Sequence, residues 1–146
     1  VVLLLDVLEH LPSADDAIHE ISRVLKSGGS LIVQIPFLYP LHDEPRDFSR
    51  LSRHGFAAIA DKHGLDIECC NAQGMPIETA ALLTNISISK LVLGWIARKE
   101  PALIFSILAP ILILLINLVA KATSCLVQQD DFMPYSYQVL AKRLIK

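Results

Sequence analysis

The chain has no surplus of basic residues. Thirteen Lys and Arg stand against fifteen Asp and Glu, for a formal charge of −2. Such a balance offers no positive field for a phosphate backbone, and it excludes a nucleic-acid-binding module. Charge of either sign is scarce at 19% of residues, whereas 53% are apolar, so disorder is excluded and membrane contact is not. The three cysteines, Cys69, Cys70 and Cys125, lack zinc-ligand spacing and form an odd set unsuited to a disulfide framework. They read as small buried hydrophobes in a reducing compartment. The sequence has no internal repeat, no low-complexity tract, no metal-ligand spacing and no Ser-His or Cys-His nucleophile arrangement. It also lacks an initiator Met or a signal-peptide n-region ahead of its first apolar run, so it reads as the C-terminal part of a longer protein.

What is present begins with Val1-Val2-Leu3-Leu4-Leu5, a short continuous apolar run that predicts a parallel strand covered on both faces. Asp6 to Pro12 is the loop that follows. Ser13 is a helix cap with Asp15 and Asp16 in the first turn, and Ala14, Ala17, Ile18, Ile21, Val24 and Leu25 recur at helical spacing. Lys26 falls in the expected last turn and Gly28-Gly29 ends the helix. Ser30 to Ile35 is the next strand, closed by Pro36, so strand, helix, glycine turn and strand make one βαβ unit. A polar, irregular segment runs from Phe37 to Leu51. A second helix is expected over Ser52 to His63, with Gly64 as its stop, and a third strand over Leu65 to Cys70. Ile77 to Lys99 reads as helical. Tyr135 to Leu144 reads as a last strand, with Tyr137, Val139 and Ala141 alternating against Ser136, Gln138 and Leu140, and with Lys142, Arg143 and Lys146 at its exit.

Two linked motifs carry a family resemblance. Leu5-Asp6-Val7-Leu8-Glu9-His10-Leu11-Pro12, followed at βαβ spacing by Glu20-Ile21-Ser22-Arg23-Val24-Leu25-Lys26-Ser27-Gly28-Gly29-Ser30-Leu31, resembles the C-terminal half of class I S-adenosylmethionine-dependent methyltransferases of the broad type 11 group. The resemblance covers residues 1 to about 75 and the last strand. It implies an α/β fold: the C-terminal half (strands 4, 5, 6 and 7) of a doubly wound, Rossmann-like, seven-stranded sheet, with a helical apolar insertion. The expected organisation is residues 1–76 as core, 77–131 as insertion, and 132–146 as the strand returning to the core. The implied cofactor is S-adenosylmethionine, in a crevice beyond the carboxyl ends of the strands. With strands 1 to 3 outside the sequence, the chain alone is expected to bind that cofactor weakly or not at all.

Candidate site residues lie on two loops at strand ends. Asp6, Val7 and Leu8 are the cofactor-side candidates, and Glu9 is read as holding backbone N–H groups of its own loop. His10 can accept a proton near neutral pH and so serve as a base, orient an acceptor, or simply pack beneath the loop. The second loop, Pro36-Phe37-Leu38-Tyr39-Pro40-Leu41-His42-Asp43-Glu44-Pro45-Arg46-Asp47-Phe48-Ser49-Arg50, is similar to a segment of methyltransferases found with polysaccharide or lipid-linked biosynthesis. There His42 is the second catalytic candidate, Tyr39 with Phe37 an apolar wall, and Asp47 and Arg50 an acceptor clamp or a self-contained ion pair. His19, on the far helix face, reads as solvent-exposed.

Ala102 to Ala120 is a stretch of nineteen residues without a charge, about 28 Å long as a helix and close to the thickness of a bilayer core. Pro110 would kink it, and Asn117 would need a partner. Because the last strand returns to the sheet, a single span is disfavoured. Interfacial burial or a re-entrant helix turning near Pro110 fits, as does packing within the protein. The function expected from the resemblance is methyl transfer by the full-length parent protein, at oxygen, to a small or lipid-linked acceptor, in the cytoplasm or at the inner face of a membrane, with the chain alone expected to be inactive. Two alternatives remain open: a non-catalytic membrane-associated or partner-binding domain on a degenerate half-fold, and a nucleotide-cofactor enzyme of other chemistry.

Overall fold

The computed structural model describes residues 1–128 and 130–144. Lys146, expected at the exit of the last strand, lies outside the described residues. The chain divides into two compact units, one of Val1–Gln73 with Pro134–Lys146 and one of Gly74–Met133.

The first unit contains β1 (Val2–Leu5), α1 (Ala14–Val24), β2 (Ser30–Pro36), α2 (Arg53–Lys62), β3 (Leu65–Gln73) and β4 (Ser136–Arg143). The sheet order is β1-β2-β4-β3. β1 and β2 pair in parallel, from Val2 opposite Leu31 to Leu5 opposite Gln34. β4 lies antiparallel between β2 and β3. The described residues therefore form a four-stranded mixed sheet and not the seven-stranded one the resemblance implies.

Local chemistry sets the helix limits. Ser13 Oγ accepts the Asp16 N–H at 3.1 Å and starts α1, while Ser52 Oγ accepts the Gly55 N–H at 3.1 Å and starts α2. α1 closes at Val24 because Leu25 turns extended (φ −65°, ψ 138°), so Lys26 lies in the following turn and not, as expected, in the last turn of the helix. Gly64 takes φ +70° beyond α2, a conformation open to glycine at little cost.

Ile18 of α1 and Phe56 and Ala60 of α2 pack on Leu31, Val33 and Ile35 of β2 and on Tyr137, Val139 and Ala141 of β4, all buried. The period-2 alternation of the two central strands sends these side chains to one face. β1 is not covered on both faces as its sequence suggested: Val2 and Leu4 are half-buried, but Leu3 and Leu5 are 62% and 53% exposed. Both helices pack on the opposite face, so only alternate residues of an outer strand are covered. The reading of the cysteines as buried is also corrected. Cys69 and Cys70 lie on the outer strand β3, and they and Cys125 are all exposed.

The second unit contains α3 (Pro76–Arg98), a 3-10 stretch (Pro101–Leu108) and α4 (Ala109–Ser124). The helices run antiparallel: Asn85 Nδ2 donates to Asn117 Oδ1 at 2.7 Å, and Ser124 Oγ donates to Glu78 Oε1 at 2.9 Å. The chain reverses at Lys99, whose left-handed φ of 53° ends α3, and not near Pro110. Pro110 sits in the first turn of α4, where the helix changes from 3-10 to α.

Phe56 is fully buried where α2 meets the sheet. Phe56→Ala should lower the unfolding free energy by about 3–5 kcal/mol, measured by urea denaturation followed by circular dichroism. A loss below about 1 kcal/mol would contradict a packed core at this position.

Candidate functional site

Parallel pairing brings β1 and β2 to their carboxyl ends at one edge of the sheet, and antiparallel β4 begins at that same edge. A cleft of about 260 Å³ opens there, lined by Asp6, Glu9, Gln34, Pro36, Tyr39, His42, Tyr135 and Ser136. Asp6, the first residue after β1, adopts a left-handed φ of 51°, which Asp tolerates better than most side chains. Its N–H donates to the Gln34 carbonyl at 3.2 Å, and its Oδ2 accepts from Gln34 Nε2 at 2.8 Å. Amides continue this line across the sheet, Gln138 donating to Gln34 at 3.0 Å and Gln73 to Gln138 at 3.3 Å. The Asp6 carboxylate is thus oriented by a row of side chains crossing three strands.

Leu8, Glu9 and His10 form a single 3-10 turn. Leu8 is fully buried in the core and anchors that turn, while Val7 is exposed beside it. The two loops then interlock. The Phe48 N–H donates to the Glu9 carbonyl at 2.8 Å, and His10 Nδ1 lies 2.6 Å from the Arg46 carbonyl. The His10 and His42 rings meet edge to face with centroids 4.9 Å apart, and Tyr39 stacks edge-on to His42 at 5.4 Å.

The second loop is held from within. Asp47 accepts both guanidinium nitrogens of Arg50, with Nη2 to Oδ2 at 2.6 Å, and it also accepts the His42 N–H at 2.9 Å. Arg50 further donates to the carbonyls of Tyr39 (3.3 Å), Pro40 (3.1 Å) and Ser49 (2.9 Å). Asp47 and Arg50 therefore have their hydrogen-bonding capacity committed to the loop, and neither lines the cleft. The Arg50 guanidinium holds the Asp47 carboxyl well below the usual carboxylate range against the opposing effect of burial, and Asp47 in turn raises Arg50. Burial pushes the Glu9 carboxyl up, opposed in part by the neighbouring His10.

Of the residues singled out in the sequence, Asp6, Tyr39 and His42 line the cleft. His10 packs against His42. Phe37 lies 5.4 Å from the Tyr137 ring, on the core side. His19 is exposed, near His63. Glu9 is the principal correction among them. Its carboxylate holds no loop N–H; it is buried, without a hydrogen-bond partner on either oxygen. Gln34, Tyr135 and Ser136 were not foreseen. The single polar residue inside the β2 run was the one available signal for Gln34, and nothing local marks the other two.

A family model described as "Methyltransferase domain" matches residues 1–33. No curated protein matches the chain. Among solved structures, the [4+2]-cyclase SpnF is similar at 16% identity and a TM-score of 0.53, covering 99% of this chain and 49% of that one. A putative sarcosine dimethylglycine methyltransferase from Galdieria sulphuraria is similar at 15% identity and a TM-score of 0.52, covering 97% of this chain and 52% of that one. The chain spans about half the length of these two solved structures. The fold is of the Rossmann-like methyltransferase type, and the likeness extends over nearly the whole chain. The expectation of a resemblance limited to a C-terminal part, covering residues 1–75 and the last strand, is overturned by that coverage, which takes in the helical segment 77–131 as well.

Asp47→Asn should leave Arg50 without its counter-charge and destabilise the protein by roughly 3 kcal/mol, as for a buried pair broken on one side. Because the folded state lowers the pKa of Asp47, the stabilisation is complete above the ordinary carboxylate range and is lost as pH falls below it. Denaturant titrations between pH 7 and pH 2 should therefore show a shallower acid limb in the variant than in the parent.

Proposed function

We propose that the cleft is a site of methyl transfer from S-adenosylmethionine to a small or lipid-linked acceptor, at an acceptor oxygen. The observation that carries this reading is the position of the cleft: beyond the carboxyl ends of two parallel strands, where doubly wound sheets bind ligands. One residual carboxylate, Asp6, faces the cleft with acceptor capacity left after Gln34, which suits an ammonium or sulfonium group. When bound, S-adenosylmethionine supplies the activated methyl carbon and a neutral thioether leaving group. The protein's part is alignment and proton removal. Asp6 and the exposed backbone at Val7 orient the cofactor side, and Tyr39 and Pro36 exclude water. The imidazoles of His42 and His10, backed by Glu9, take charge of the acceptor's proton. The likeness to a putative methyltransferase supports this reading, while the likeness to a cyclase is a reminder that fold alone does not choose the reaction.

The second unit supports an acceptor drawn from a membrane. α3 and the continuous helical stretch Pro101–Ser124 are each long and apolar enough to cross one, and almost none of either is buried within the protein. Ile104, Ile107 and Val119 are 75%, 76% and 63% exposed, surface that water does not favour. The Asn85–Asn117 bond pairs polar groups between the helices, and Thr84 and Ser87 donate to backbone carbonyls one turn back. A two-helix hairpin returns the chain to the side it left, so crossing twice avoids the objection that holds against a single span.

The intact protein, given methyl-labelled S-adenosylmethionine and a membrane extract, should transfer label to an extractable acceptor. Asp6→Ala and His42→Ala should each reduce that transfer at least tenfold. Absence of labelled product together with absence of cofactor binding by calorimetry would refute the reading. Independently, the protein should float with phosphatidylcholine–phosphatidylglycerol vesicles in a density gradient, and recovery in the lipid-free fractions would refute membrane insertion.

A further inference from the structure

Glu9 is a charged side chain that the cleft leaves unexplained. A buried carboxylate ordinarily accepts several hydrogen bonds, because leaving it bare is costly. Glu9 is 1% exposed, and neither of its oxygens has a hydrogen-bond partner. Two imidazole nitrogens face it instead: His10 Nε2 lies 3.7 Å and His42 Nε2 3.8 Å from the same oxygen, Oε1. Those separations are too long for hydrogen bonds. They are within a few tenths of an ångström of the ~3.3 Å that separates two donors bound tetrahedrally to one zinc ion at about 2.0–2.1 Å. One ligand atom from each of Glu9, His10 and His42 can be chosen so that all three lie within 4.8 Å of one another.

The far side of each ring fixes which nitrogen is free. His10 Nδ1 lies 2.6 Å from the Arg46 carbonyl, which can only accept, so Nδ1 carries the proton and Nε2 presents a lone pair towards Glu9. His42 Nδ1 is 3.3 Å from the Pro40 carbonyl and 3.4 Å from Asp47 Oδ2, again both acceptors. Arg50 Nη2 is also 3.4 Å from that nitrogen, but it donates to Asp47 at 2.6 Å and to Pro40 at 3.1 Å. Two imidazoles with Nδ1–H turned to carbonyl or carboxylate and Nε2 turned to a common point are oriented as metal-ligating histidines are. Asp47 and Arg50 then have a role beyond closing the loop, since they set the ring of a ligand.

We propose that Glu9, His10 and His42 form a binding site for a divalent transition-metal cation of zinc-like preference, with its open coordination position towards the cleft. Three ligands, two nitrogen and one oxygen, match the donor set of zinc sites that keep one position for an exogenous group. The site stands on its own geometry and does not depend on methyl transfer. Where an acceptor hydroxyl enters the cleft, coordination would lower its pKa and so ease proton removal at neutral pH; with both Nε2 lone pairs on the cation, the two imidazoles would hold the cation and not themselves take the proton.

The test uses the intact protein in a background of Cys69→Ser, Cys70→Ser and Cys125→Ser, so that exposed thiols do not capture the cation. After chelator treatment and dialysis, Zn²⁺ is titrated by calorimetry and Co²⁺ by visible absorption, with no methyl donor present. One equivalent should bind with micromolar or tighter affinity, and Co²⁺ should give the intense absorption of a low-coordinate site that Zn²⁺ abolishes. Glu9→Gln, His10→Ala and His42→Ala should each weaken binding at least tenfold, and His19→Ala should not change it. Zinc should also raise the melting temperature of the parent but not that of His42→Ala, which keeps the test informative if one variant folds poorly. Millimolar affinity in the parent, or affinity unchanged by Glu9→Gln and His42→Ala, would overturn the proposal. A protein that transfers methyl groups without binding the cation would overturn the metal site alone, and one that binds the cation without transferring methyl groups would overturn the methyl-transfer reading alone.

Discussion

Parallel pairing of β1 with β2 is the constraint on which the rest of the first unit depends. Four register pairs, Val2–Leu31 to Leu5–Gln34, oblige both strands to end at one edge. Two loops far apart in sequence must therefore leave from adjacent points. The chain of amides Gln73, Gln138 and Gln34 then fixes Asp6 across the sheet, and the Phe48–Glu9 backbone bond ties one loop to the other. An antiparallel pairing of the same strands would place His10 and His42 at opposite ends of the sheet.

Within that frame the second loop supplies its own rigidity. Asp47 is nearly inaccessible to solvent and accepts from Arg50 and from the His42 backbone. A charge that is buried, paired and hydrogen-bonded acts as an internal post, and the loop wraps around it. Its effect on the cleft is indirect: it holds the His42 ring against His10 and aims both Nε2 atoms at Glu9. The unbonded Glu9 carboxylate is the point where this well-satisfied network stops being satisfied, and such gaps are where ligands belong.

The second unit follows a different logic. Its helices bury little of themselves and meet through polar pairs, Asn85 with Asn117 and Glu78 with Ser124, in a surface otherwise rich in Leu and Ile. That arrangement suits a solvent that cannot hydrogen-bond, where polar groups must find each other. The first unit has the opposite character, with its apolar side chains Ile18, Phe56, Val33 and Val139 packed inside.

The sequence by itself determined the elements whose cause is local. Ser13 and Ser52 cap their helices through their own hydroxyls, the alternation of Tyr137, Val139 and Ala141 sets the buried face of the last strand, and the run after Glu100 is apolar by composition. It also marked both loops as chemically rich, because clustered His, Asp and Arg beside proline are visible without a fold. Only the tertiary structure decided what depends on partners distant in the chain. Covering one face of the sheet left Leu3 and Leu5 exposed, and Cys69 and Cys70 lie exposed on the outer strand β3. Lys99, and not Pro110, turned the apolar hairpin. Asp47 and Arg50, read as either an acceptor clamp or a self-contained ion pair, closed on each other. Glu9, read as a local brace, met two imidazoles, one of them thirty-three residues away. Burial and hydrogen-bond satisfaction are properties of neighbours in space, and a residue's type and spacing do not specify those neighbours.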